Sequence, residues 1–368
     1  MLTRPVAWKR QSGVIFKMTI WNGDKLVVRI AAVVAFLAGC SGGASSGLEP
    51  ASSSGIRLAP TLLNARSTLG VVTGAGLAVQ ADRGESWMSP GAKTNDLLYV
   101  SDAATNDVYV YQYPALKLTG TLKGFAEPQG ECTDSKGNVW IANTNKREIV
   151  QFAHGGTKQI RALSDPSGYP LGCAVDGKTG DLAVTNIFDL HVLAGAVLVY
   201  KGASGKPKSY KNSSQYYYYF DGYDSSGNLY ASGRDPSGFY ILSVLPSGKS
   251  SMSTVALSGP TLSFPGTVTW VGKSLVLGDQ RCGGADASCL YEASISGTSG
   301  TITGTTPFTG ACDVVQASIV SGKTVVGGDY EYCDYASSSV DLWAYPTGDS
   351  PTKKVTGAHE PIGSAISN

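Results

Sequence analysis

The densest run of functional side chains is Tyr216-Tyr217-Tyr218-Tyr219-Phe220. A phenol ring combines a stacking face with a hydroxyl, the pairing used to hold sugars and peptides. In an extended strand successive side chains point to opposite sides. Alternate rings are therefore expected to pack inside, leaving Tyr217 and Tyr219 to face a ligand. Further polar side chains recur after short apolar runs: Asn145 and Arg147, Arg234 and Asp235, Gln280 and Arg281, Tyr330 and Glu331. Projected onto one face, they supply both signs of charge around the tyrosines. No catalytic residue is assigned. The three histidines, His154, His191 and His359, fall far apart without metal-ligand spacing. None lies beside a Ser-nucleophile motif. The glycines sit in tight turns, not between a strand and a helix, so no phosphate-cradling loop is present.

A repeat must position these residues. Pro128-Gln-Gly-Glu-Cys-Thr-Asp134-Ser-Lys-Gly-Asn-Val-Trp-Ile-Ala-Asn143 is echoed by Pro170-Leu-Gly-Cys-Ala-Val-Asp176-Gly-Lys-Thr-Gly-Asp-Leu-Ala-Val-Thr-Asn186. Each copy reads as strand, tight polar turn, strand, polar break. The turn residues Asp134 and Gly137, like Asp224 and Gly227, supply a backbone acceptor and a positive φ. Second strands recur at Leu97–Asp102, Val139–Asn143, Leu182–Asn186, Leu229–Gly233, Leu275–Asp279 and Thr324–Gly328. A strand-only repeat of roughly 40–50 residues is a β-propeller blade. The expected fold is thus all-β: a six-bladed β-propeller of four-stranded blades over residues 96–368. The blade at Leu97 lacks a first strand. The C-terminal Pro361-Ile-Gly-Ser-Ala-Ile-Ser367 repeats the Pro-x-Gly opening and is expected to pair with Leu97–Val100, closing the ring. Closure removes free sheet edges, so a monomer is expected.

The phrase Pro-x-Gly…Asp-x-x-Gly-Asn-Val-Trp-Ile-Ala-Asn, followed by Ile149-Val-Gln-Phe152, resembles the NHL-repeat unit and the wider six-bladed group of gluconolactonase-like (senescence marker) proteins. The whole chain resembles lipid-anchored bacterial propellers. The gluconolactonase resemblance implies one divalent metal above the channel, held by oxygen ligands at strand ends. The corresponding positions here are Asp102, Asn143, Gly233, Asn186, Asp279 and Gly328, of which Asp102, Asn143, Asn186 and Asp279 are candidate ligands for a hard cation such as Ca²⁺. The primary expectation needs no cofactor: a binding or scaffolding module for a carbohydrate, peptide or protein ligand at the channel mouth. The alternative is a metal-dependent hydrolase or lactonase.

The address is written at the N-terminus. Ile30–Gly39 is an apolar run of about ten residues behind Lys25 and Arg29, too short to span a membrane and sized as a secretory signal. Leu37-Ala38-Gly39-Cys40 resembles a lipobox, which implies cleavage before Cys40 and its acylation. Residues 1–39 therefore read as a signal peptide started at Met18. Residues 40–55 form a lipidated Gly/Ser-rich tether, and 56–95 an irregular segment that includes a short helix over 62–72 and Trp87 and Met88 on the propeller rim. The protein is expected in the cell envelope, held by its lipid alone. The leader carries Arg4, Lys9, Arg10, Lys17, Lys25 and Arg29 against Asp24. The chain as a whole has 29 basic and 28 acidic residues, so the exported part is acidic and offers nucleic acid no basic stripe. Of seven cysteines, six remain for an oxidising compartment. Cys282 and Cys289 share a loop, and Cys312 and Cys333 flank a strand pair. Cys132 and Cys173 lie in equivalent strands, on opposite sheet faces, and either bridge neighbouring blades or stay as buried thiols.

Overall fold

The computed structural model describes residues 84–192, 194–284, 287–330 and 338–368. The leader, Cys40, the tether, the expected helix over 62–72, Glu331 and Cys333 lie outside the described residues. The described chain is all-β, with four short 3₁₀ turns and no α-helix.

Six strand groups, numbered I to VI along the chain, share one meander pattern. Sheet I runs Pro361–Ser367, Leu97–Asp102, Asp107–Gln112, Lys117–Leu122. Sheet II runs Pro128–Thr133, Val139–Asn143, Glu148–Phe152, Gln159–Ser164, and sheet III Gly168–Val175, Leu182–Asp189, Ala196–Tyr200, Lys208–Tyr210. Sheet IV is Tyr217–Tyr223, Leu229–Arg234, Tyr240–Leu245, Ser253–Thr254. Sheet V is Pro265–Val271, Ser274–Asp279, Ser288–Ser296, Ser299–Phe308, and sheet VI Ala317–Val320, Thr324–Asp329, Ser339–Ala344, Gly348–Thr356. Sheets V and VI are continuous through one parallel bridge, Phe308 to Asp349, and Ala256–Ser258 adds a strand parallel to Ser299–Phe308. Trp87–Met88, expected on the rim, forms a fifth strand on the outer edge of sheet I against Gly120 and Thr121.

The C-terminal strand pairs as its repeat phrase implies: Leu97 faces Ser367 and Val100 faces Ser364, antiparallel. The second strand Leu97–Asp102 carries apolar residues on both faces because sheet I packs against sheets II and VI. Leu97 and Tyr99 join Val139 and Ile141 of sheet II in one core cluster. Leu98 and Val100 join Val326 and Val340 of sheet VI in another. Each such residue is fully or almost fully buried, a stabilisation of about 1.5–3 kcal/mol per side chain. The turns behave as the sequence implies. Asp134 accepts backbone N–H bonds from Lys136 and Asn138, and Gly137 has φ +77°.

The first-named strand of each sheet is here its lead strand, and in sheets I, II and III it carries the Pro-x-Gly phrase. A side chain on Gly130 would put its Cβ 2.5 Å from the Leu171 carbonyl of sheet III, and one on Gly363 would strike the Gln129 carbonyl of sheet II. These glycines let lead strands of different sheets lie against each other. Hydroxyls reinforce the contact. Ser101 donates to Gln129 O, Thr185 to Tyr219 O at 2.5 Å, and Ser232 to Gly266 O at 3.2 Å, each from the residue just before the strand-end position. The lead strands of sheets V and VI meet through Thr267 and Ala317, and those of VI and I through Gln316 N–H and Ile362 O at 3.1 Å.

Candidate functional site

At the Pro-x-Gly end of the lead strands, the strand-end residues organise loops. Asp102 is fully buried and accepts backbone N–H bonds from Thr105, His359 and Glu360. Asp279, also fully buried, accepts from Ser263, Phe264, Arg281 and Gly283. Asn143 accepts from Ala126 N–H and donates to Glu148, and Asn186 lies beside Asp165. Among the described residues, no group of three or more His, Cys, Asp or Glu side chains stands close enough together to hold a metal.

The expected ligand residues divide. Arg147 has a left-handed backbone (φ +53°) and donates to Pro166 O. Asp235 closes a turn by accepting from Ser237 and Phe239 N–H. Arg281 lies 3.6 Å from Asp313. Tyr217, Asn145 and Tyr330 are half-buried. Two expectations are corrected. Tyr219 is 1% exposed and meets Phe264 edge-on at 5.6 Å, and Gln280 is 1% exposed and donates to Pro265 O. The alternation argument failed for Tyr219 because the pairing register shifts between Tyr218 and Asp221, so Tyr218, Tyr219 and Phe220 are all buried.

This end is filled by side chains. Leu171, Tyr219, Phe264, Val315 and Ile362, from sheets III, IV, V, VI and I or the loops entering them, belong to one buried cluster. Below it the Phe220 ring extends from sheet IV over Gly172 and Gly130, and a Cβ on either glycine would sit about 3 Å from that ring.

Beyond Phe220 the opposite ends of the lead strands enclose a cavity of about 440 Å³. Its wall is built from 131–133, 173–175, 220–223, 267–269, 316–321, 364–366 and Asn368, so all six lead strands contribute. Two acids line it, Glu131 and Asp221, with no Lys, Arg or His. They are 1% and 4% exposed, and neither carboxyl has a side-chain partner: the Ala365 backbone lies near Glu131 and the residue's own amide near Asp221, neither in good hydrogen-bond geometry. Burial raises Glu131 well above the ordinary carboxyl range, with the nearby Ala365 backbone lowering it in part, and burial pushes Asp221 up to about 8. Gln316 ties the wall together. Its Oε1 accepts from Glu131 N–H (2.8 Å) and Ser364 N–H (3.1 Å), and its Nε2 donates to Glu131 O (2.7 Å). The Cys132–Cys173 disulfide joins sheets II and III in the same wall, and Cys282–Cys289 closes its loop as expected. Cys312 is disulfide-bonded as well; its expected partner, Cys333, is outside the described residues.

A second acidic pair precedes two of the Pro-x-Gly phrases. Glu127 and Glu360 are each pushed up to about 7, Glu127 by burial and Glu360 by burial and then by the charges of Glu127 and Asp102. Asn145 and Gln129 donate to Glu127. Sequence reasoning passed over Glu127, Glu131, Asp221 and Glu360. A signal was there for three of them: Glu127 and Glu131 flank one Pro-x-Gly phrase and Glu360 precedes another, at positions the repeat places among buried strands.

No family model matches the chain, and no curated protein matches it in sequence. Solved structures do. A chain in the crystal structure of a nidogen/laminin complex superposes with a TM-score of 0.58 at 12% identity, over 74% of this chain and 99% of that one. A protein of unknown function from Bacteroides caccae gives 0.56 at 10% identity, over 75% and 100%. At such identities the likeness shows the fold, a β-propeller type built from four-stranded sheets, and no activity.

Proposed function

We propose that the chain is a six-bladed, ring-closed propeller, anchored outside the cytoplasm by a lipid on Cys40, and that it acts as a binding module for a protein partner. Ring closure is supported by the C-terminal strand on Leu97–Asp102 and by the lead-strand contacts from Gly130 round to Gly363. Disulfides fit an oxidising compartment. The chain in the nidogen/laminin complex structure is a like fold within a protein assembly.

The observation that carries the binding role is Phe239. It is 72% exposed, yet its loop is fully braced. Asp235 holds the Ser237 and Phe239 amides, Asp235 N–H donates to Phe239 O, and Arg234 Nε donates to Gly238 O. The Arg234 guanidinium in turn lies 4.7 Å over the Phe264 ring. A preorganised exposed aromatic beside an arginine is the composition of an interface hot spot, because little ordering entropy is lost on docking. The test is affinity capture from solubilised envelope fractions with wild-type protein and Phe239→Asp. A partner retained by wild type and reduced at least tenfold by the variant is expected. Identical capture by both proteins would remove Phe239 as the docking element.

A further inference from the structure

We propose that the cavity between the far ends of the lead strands is a binding site for a small organic cation, a primary mono- or diamine. The site is separate from the Phe239 loop and independent of the role proposed for it. Its volume, about 440 Å³, lies within the roughly 300–1,000 Å³ usual for small-ligand pockets. It opens where the lead strands end, at the half-exposed Thr133, Val175, Tyr223, Thr269 and Ile366.

The chemistry of the wall selects the ligand. The buried neutral polar groups are already engaged: the Gln316 amide with Glu131 and Ser364 backbone, Thr267 Oγ1 with Ala317, and Ser364 Oγ with Gln316 O. Among the buried side-chain atoms of the wall, those without a well-aligned hydrogen bond are the carboxyl oxygens of Glu131 and Asp221. An unpaired buried carboxylate is costly, so such a group stays protonated or finds a cation. No basic side chain of the wall can serve. An ammonium donates three N–H groups and accepts none, the complement of a carboxylate. Phe220 at the floor and Tyr223 at the side add aromatic faces for a cation. A hard divalent ion fits less well. It takes about six to eight oxygens, and the buried neutral side chains here, Gln316, Thr267 and Ser364, are committed.

Binding exchanges charge for charge. The ammonium enters as a cation, and the carboxyl proton held by burial leaves to solvent. The other titratable groups facing the pair are phenols, Tyr99 by Glu131 and Tyr223 by Asp221, both raised by burial and neutral at pH 9. Affinity should therefore rise between pH 6 and pH 9, while a primary amine, with a pKa near that of lysine (~10.4), stays charged.

Calorimetric titration of the purified chain with 1,5-diaminopentane tests this, with n-pentylamine and Ca²⁺ as parallel probes. The expected result is saturable one-to-one binding of the diamine at pH 9, weakened at least tenfold at pH 6, with a heat that varies with the buffer's ionisation enthalpy. Asp221→Asn and Glu131→Gln should each weaken it at least tenfold, with melting curves confirming that both variants fold. Thr269→Arg, at the half-exposed lip, leaves both carboxyls in place and should abolish binding by setting a fixed cation in the opening. Absence of binding by either amine, undiminished binding in the variants, or Ca²⁺ occupying the site in preference to the amines would overturn the proposal. Phe239→Asp should leave amine binding unchanged, so the two readings fail separately.

Discussion

The two ends of the lead strands carry the same repeat and opposite chemistry. At the Pro-x-Gly end, Leu171, Tyr219, Phe264 and Ile362 meet in an apolar cluster with exposures of 1–2%. At the other end the strands stay apart around a polar cavity with two buried carboxyls that have no side-chain partner. Phe220 lies between them. The difference teaches that a recurring motif marks where sheets are fastened and not where a ligand binds. Glycine and Ser/Thr hydroxyls draw the strands together at one end, and large side chains fill what is left. Function is free to vary where the fastening stops.

The comparison breaks most readily at its filled end. Phe264→Ala removes a ring that touches both Tyr219 and the Arg234 guanidinium. A cost of about 3–5 kcal/mol is expected, measured as a lower urea midpoint. A cost below about 1 kcal/mol would mean that the cluster closes around the gap and is not a rigid plug. The open end is held differently. Cys132–Cys173 spans 41 residues and Cys282–Cys289 spans 7. On the chain-entropy account, replacing the first pair by serines should cost about 4 kcal/mol and the second about 2.5. Equal costs would show that the cavity-wall bridge adds nothing beyond a local loop tie.

Much of the frame was legible. Asp134-Ser-Lys-Gly137 specified its own turn, and Pro361–Ser367 announced its pairing with Leu97–Asp102 by repeating a phrase. These are local chemistry or direct echoes. The candidate site was not legible in the same way. Gln316 reaches Glu131, 185 residues away, and no pattern near either residue encodes that contact. Tyr219 was misplaced because a register shift cannot be read from alternation. The strand Ser299–Phe308 and its bridge to Asp349 arise from a drifted repeat and went unforeseen. Asp102 and Asp279 drew attention as oxygen ligands, whereas their carboxyls hold loop amides. Asp134→Ala, which removes the acceptor of a turn that was read correctly, should cost about 1 kcal/mol in thermal unfolding. A neutral result would mean that Gly137 alone secures the turn.

The pH dependence is the effect that separates the two ends most directly. Asp221 has its folded-state pKa raised by burial from 3.8 to about 8. Between those values the folded chain holds a proton that the unfolded chain has released. Stability from this group is complete below pH 4 and is lost as pH rises toward 8, with a slope of about 1.4 kcal/mol per pH unit. Glu131 acts in the same direction, as do Glu127 and Glu360 up to about pH 7. The protein should therefore be more stable at pH 5 than at pH 8. Urea unfolding at pH 5, 6, 7 and 8 measures the slope, and Asp221→Asn should remove about 1.4 kcal/mol per unit of it. Phe264→Ala should shift every point by the same amount and leave the slope intact, because the ring it removes carries no titratable group. If Asp221→Asn left the slope unchanged, the carboxyl would be solvated in the folded chain, and the chemical contrast between the two ends would reduce to one of packing.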